Sequence, residues 1–233
     1  MTKINFIGTF DKTDLILNIA KMLVNLKQKV LVIDATIREK MKYIIPKIDT
    51  DAIGYVTNYL EIDIAIGFKN YNEIKRCLGM TETSSFMYDY ILLDIDDTNL
   101  ITSFDIYNSD KNYFVTTFDS YCLKKGVEFL KEIVQPIDIT KLYFSNKMSK
   151  DDDEYLNFLS LGSKARWTEE RIYFPLFTQD QELIMENQRL SRIKFKGFSK
   201  EYKNALINMV QQLIPNEEIY NIKRVYKQIE RGM

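Results

Sequence analysis

The sequence predicts an α/β fold with parallel strands, and three observations carry that prediction. Two short apolar runs, one at Ile4, Phe6 and Ile7 and one from Val30 to Ile33, bracket a segment with a single apolar stripe. That is the pattern of two buried parallel strands joined by a crossover helix. Further runs of strand length, at Tyr88 to Asp94, Tyr113 to Thr117 and Lys141 to Ser145, follow in order. At 233 residues the chain has room for one large domain with a substantial core.

Composition narrows the chemistry. Lys and Arg number 32 against 33 Asp and Glu, so any basic surface has to be local. Histidine is absent, which removes imidazole bases, His-containing triads and imidazole metal ligands. Cys77 and Cys122 are too few for a disulfide framework or a zinc site and fit a reducing cytoplasm. The sequence shows no signal peptide and no apolar run long enough to span a bilayer, so a cytoplasmic location is expected.

In the first unit Leu15, Ile19, Met22, Leu23 and Leu26 recur at steps of three and four, one stripe on a helix of about four turns. A right-handed crossover puts the turn from Gly8 to Asp14 at the carboxyl edge of the sheet, where open α/β sheets bind ligands. Lys12 and Thr13 begin the helix as the lysine and hydroxyl of a phosphate-binding loop do. Asp11 puts a carboxylate at the helix end that attracts anions, and it reads equally as an N-cap.

Gly8, Lys12, Thr13 and the helix start Leu15-Ile16-Leu17-Asn18-Ile19-Ala20 make this stretch resemble the first βαβ unit of the ParA/MinD superfamily of deviant P-loop ATPases. The loop of that family reads KGGxGKT. Here three residues separate Gly8 from Lys12, where the general pattern G-x-x-x-x-G-K-[ST] has five, and the glycine pair and the extra lysine are absent. A phosphate cradle is a run of converging backbone N–H groups built by residues with positive φ, which Phe10 and Asp11 do not replace.

The later elements continue the resemblance. Asp34 matches the first aspartate of an Asp-x-Asp element, with Thr36 at the second position, and also reads as a turn or N-cap residue. Residues 38–51 read as a short helix and loop, and residues 51–80 as a helix, an apolar segment at Ile62 to Ile66 and a second helix. The run from Tyr88 to Asp94 resembles the second acidic motif, with Ile95-Asp96-Asp97 in place of T-P-P. Val115 to Asp119 is similar to a V-T-T-P-D element, Asn146-Lys147 to the N-[RK] step that meets adenine, and Ile172 to Pro175 to an I-P element. Asn146 reads as a turn residue as well. Asp151 to Glu154 opens a helix and complements its dipole.

The resemblance runs from Lys3 to about Ile214 and implies one doubly wound domain, residues 1–215, with a mostly parallel sheet of about seven strands flanked by helices. In an intact site Gly8, Lys12, Thr13 and Asn146 would hold ATP, and Thr13, Asp34 and Asp94 would hold magnesium. The shortened loop implies instead a pseudo-ATPase with no cofactor and no catalytic residue. Such a chain would act as a scaffold that dimerises or docks partner proteins, as in the TadZ/CpaE-like branch that positions pilus or secretion machinery. An active ATP-dependent positioning switch is the alternative.

Two further surfaces widen the range of partners. From Arg189 to Lys203 six basic residues face a single acid, Glu201, which suits a nucleic-acid backbone or a solvated face. The tail, residues 216–233, is a basic amphipathic helix with Ile219, Ile222, Val225, Tyr226 and Ile229 on one side. It lies on a membrane surface, or packs on its own body or a partner, and Pro215-Asn216 punctuates the chain so that the tail reads as separable.

Overall fold

The computed structural model describes residues 1–46, 52–146 and 150–232; the end of the 38–51 stretch and Lys147 lie outside them. The strands are β1 (Thr2–Ile7), β2 (Val30–Ala35), β3 (Tyr55–Tyr59), β4 (Ile62–Ile66), β5 (Tyr90–Ile95), β6 (Lys111–Thr116), β7 (Ile137–Phe144) and β8 (Ala165–Phe174). The helices are α1 (Thr13–Asn25), α2 (Met41–Ile44), α3 (Tyr71–Cys77), α4 (Ser120–Lys131), α5 (Lys150–Leu159), α6 (Thr178–Arg189), α7 (Lys200–Leu213) and α8 (Ile219–Arg231).

The strands form one sheet in the order β3-β4-β2-β5-β1-β6-β7-β8. Every neighbouring pair is parallel except β3 and β4. Both faces are covered, as parallel sheets require. Ile4, Phe6, Val32 and Leu92 face a core closed by α1, α7 and α8, whereas Leu31, Ile33, Leu93 and Phe114 face a second core closed by α3, α4 and α5. The architecture is therefore the doubly wound α/β class, with eight strands rather than about seven.

The added strand is β3, in a stretch read from sequence as a helix. Tyr55-Val56-Thr57-Asn58-Tyr59 is rich in β-branched and aromatic residues. Leu60 and Glu61, at φ 52° and 69°, then make a two-residue hairpin turn into β4. Such turns need positive φ at both central residues and normally announce themselves by Asn or Gly, which this turn lacks.

The acidic start of α5 is also more than dipole complementation. Asp153 points inward, where it accepts from the Lys141 ammonium at 2.8 Å, the Tyr143 hydroxyl at 2.7 Å and the Arg171 guanidinium at 2.7 Å. Burial works to raise its pKa, but these three donors outweigh burial and hold the carboxyl well below its usual range. The network fastens α5 to the far strands of the sheet.

In α8, Ile222, Val225, Tyr226 and Ile229 are buried in the same core as α1 and α7. Four of the five stripe residues thus pack on the chain's own body while Ile219 at the helix start stays 42% exposed, and the basic side chains Lys223, Arg224, Lys227 and Arg231 face outward. Among the described residues no helix is long and apolar enough to cross a membrane.

Candidate functional site

Five of the six residues singled out from sequence meet at the carboxyl edge of the sheet. β5 lies between β1 and β2, so the loop after β1 approaches Asp94 on β5 and Asp34 on β2, which are direct register partners.

Gly8 ends β1 with φ 127°, and a β-carbon built there would lie 2.4 Å from the Val115 carbonyl oxygen on β6. Glycine is required by that close approach and by the left-handed backbone. The loop then reaches Lys12, whose side chain folds back under it. Lys12 Nζ donates to the Gly8 carbonyl at 2.6 Å and lies 2.6 Å from Asp94 Oδ1, with both side chains 2% exposed. Burial pushes the Asp94 carboxyl up to about 6; Lys12 opposes this rise and Asp34 adds to it.

Asp34 is spent on its own chain. One carboxylate oxygen accepts the Thr36 N–H and hydroxyl, and the other accepts the Met41 N–H at 2.9 Å. Burial raises its pKa against those hydrogen bonds. Thr13 is buried at the start of α1, and its N–H donates to Asp11 Oδ1 at 3.3 Å. The same Asp11 carboxylate pairs with Lys40 across the cleft. Burial lowers the pKa of Lys40, against the attraction of Asp94.

These loops enclose a cleft of about 590 Å³, with Phe10, Lys12, Lys40, Asp94 and Tyr121 in its lining. Asp96, which stands where the resembled motif has T-P-P, belongs to it, and so does Lys40, which was not legible in sequence. Asp96 accepts the Ile37 N–H at 2.7 Å and ties the loop after β5 to the loop after β2. Lys40 falls in no motif, so only the three-dimensional closure of those loops reveals it.

Asn146 stands outside the cleft lining. Its amide donates to the Leu176 carbonyl and accepts the Leu176 N–H, clasping the ends of β7 and β8. Among the described residues no cluster of three or more Cys, Asp or Glu side chains is arranged to hold a metal ion. In the basic stretch, Arg192 pairs with Glu186 at 2.9 Å and Lys203 with Glu230 at 3.7 Å.

No family model and no curated protein matches the sequence. Solved structures do match. A plasmid partition protein of Borrelia burgdorferi bound to AMPPNP aligns over 93% of this chain and 100% of its own, at 15% identity and TM-score 0.55. MinD of Pyrococcus horikoshii complexed with Mg-ADP aligns over 91% and 95%, at 15% identity and TM-score 0.56. The MinC:MinD cell division complex of Aquifex aeolicus aligns over 93% and 97%, at 13% identity and TM-score 0.54. Identities this low speak to architecture alone, and the architecture is the fold of these partition and MinD proteins.

Proposed function

We propose that this chain is a ParA/MinD-like pseudo-ATPase, a cytoplasmic scaffold that associates with itself or with partner proteins in positioning, partition, or secretion and pilus assembly. The observation that carries this reading is the state of Lys12. A working P-loop lysine reaches into the cleft to meet β- and γ-phosphates. Lys12 is instead buried, 2.6 Å from both the Gly8 carbonyl and Asp94. The Thr13 N–H at the helix start is likewise engaged, by the Asp11 carboxylate. As arranged, these residues offer a triphosphate no free lysine.

The second reading is an ATP-dependent positioning switch, favoured by the convergence of Lys12, Thr13, Asp34 and Asp94 on one cleft edge. The nucleotide complexes of the Borrelia and Pyrococcus proteins add to it. In that case Lys12 would leave Asp94 for phosphate, and Thr13, Asp34 and Asp94 would serve magnesium. A phosphate-release assay with ATP and magnesium separates the two: the scaffold reading expects no turnover above the Lys12→Ala variant. Turnover that disappears in Lys12→Ala establishes the switch.

Partner docking on this reading has a parallel in the MinC:MinD complex. A membrane contact through the tail has less support, because four of the five residues of its apolar stripe are already buried in the core. Nucleic-acid binding through Arg189 to Lys203 loses part of its charge to the ion pairs of Arg192 and Lys203.

A further inference from the structure

The two edges of the sheet are built differently. β8 carries Arg166, Glu169, Glu170 and Arg171, and its register against β7 shifts between Ile139 and Lys141. Charges and bulges of this kind protect an exposed edge from pairing with another chain. β3 has neither protection. Tyr55-Val56-Thr57-Asn58-Tyr59 contains no charge and no proline, runs in unbroken register with β4, and has no strand on its outer side among the described residues.

The hairpin geometry says which backbone groups are open. A two-residue turn with positive φ at Leu60 and Glu61 makes Tyr59 and Ile62 the hydrogen-bonded pair that closes it. Alternation then turns the N–H and C=O of Tyr55, Thr57 and Tyr59 toward β4, and those of Val56 and Asn58 outward.

We propose that this edge pairs with β3 of a second copy of the chain, antiparallel about a two-fold axis at Thr57. In that register Val56 of each copy meets Asn58 of the other, so the outward-facing residues exchange their N–H···O bonds. Thr57 faces Thr57 and Tyr55 faces Tyr59, which are favourable cross-strand pairs with no like charges opposed. The same axis sets Leu60 of each copy, 40% exposed in the single chain, opposite Gly54 of the other at each end of the ladder, where no side chain stands in its way. One sheet then runs through both copies. The contact is isologous and closes on itself, so it yields a dimer rather than a fibre. This deepens the scaffold reading, on which its cellular role rests, by naming the surface through which the chain associates; the pairing itself does not involve the cleft.

The test is sedimentation equilibrium over a concentration series without nucleotide. The wild-type chain is expected to show a monomer–dimer equilibrium. Thr57→Val, which keeps a β-branched residue at the axis, should preserve it. Thr57→Lys opposes two ammonium groups there and should raise the dissociation constant by about 10-fold or more. Circular dichroism checks that both variants fold. If Thr57→Lys does not, Thr57→Cys takes its place, and mild oxidation should give a dimer whose disulfide maps to the substituted position in both copies. A wild-type chain that stays monomeric, a Thr57→Lys dimer as tight as wild type, or no cross-link through the Thr57→Cys thiols would overturn the proposal. Self-association that ignores Thr57→Lys but vanishes in Lys12→Ala defeats both this proposal and the scaffold reading. ATP binding alongside a dimer sensitive to Thr57→Lys defeats only the scaffold.

Discussion

At the scale of single residues, charge is buried wherever the fold needs an anchor. Lys141, 2% exposed, depends on Asp153 for its counter-charge. Removing one partner of a buried pair typically costs about 3–5 kcal/mol, because the other is left uncompensated. Asp153→Ala should therefore lower unfolding stability by about that amount in urea, and a loss within ordinary surface scatter would contradict the network. Asp14 carries the opposite sign. Burial raises its pKa from 3.8 to about 6, against a hydrogen bond from Gln188. A carboxyl with a raised folded pKa contributes stability that is full below pH 3.8 and is lost as pH rises through about 6. Asp14→Asn should flatten the fall in stability across that window, followed by denaturation at several pH values. Gly8→Ala, by contrast, should destabilise at every pH, because its β-carbon meets the Val115 carbonyl and its φ is 127°. The placement of Gly8, Lys12, Thr13, Asp34 and Asp94 was legible because each sits at a strand end or helix start. Their partners were not, since nothing in the spacing says that Lys12 turns back to Asp94 or that Asn146 spends its amide on Leu176.

At the scale of elements, the periodic segments were readable and the short ones were not. The stripe of α1 and the apolar runs of β2 and β5 are strong local signals, and all three elements lie where the sequence puts them. β3 was missed because its turn residues, Leu60 and Glu61, carry no turn signature. α8 was legible as an amphipathic helix, but periodicity is silent on what an apolar stripe faces. Its Ile222, Val225, Tyr226 and Ile229 are each 5% exposed or less. Burying one such side chain contributes roughly 1.5–3 kcal/mol, a large share when a domain is stable by about 5–15 kcal/mol. Truncation after Ile214 is therefore expected to lower the thermal midpoint sharply or to abolish cooperative unfolding. An unchanged transition would instead support residues 216–233 as a separable tail.

At the scale of the whole molecule, the parallel order of β2, β5, β1 and β6 brings the loops after β1, β2 and β5 to one cleft. That topology is common to the ParA/MinD fold, and fold alone does not decide whether the cleft works. The decision falls to the loop, which is short, lacks the glycine pair and holds its lysine in an ion pair with Asp94. To serve a nucleotide, Lys12 would have to leave a buried carboxylate, and Asp11 would have to yield to an incoming phosphate of its own sign. Unit charges a few Å apart interact by several kcal/mol at an effective dielectric near ~20, so both changes oppose binding. The most direct test is calorimetric titration of ATP with magnesium into the wild-type chain and into Lys12→Ala. The account predicts no resolvable binding, or weak binding that is the same in both; micromolar affinity in the wild type that is lost in Lys12→Ala would contradict it.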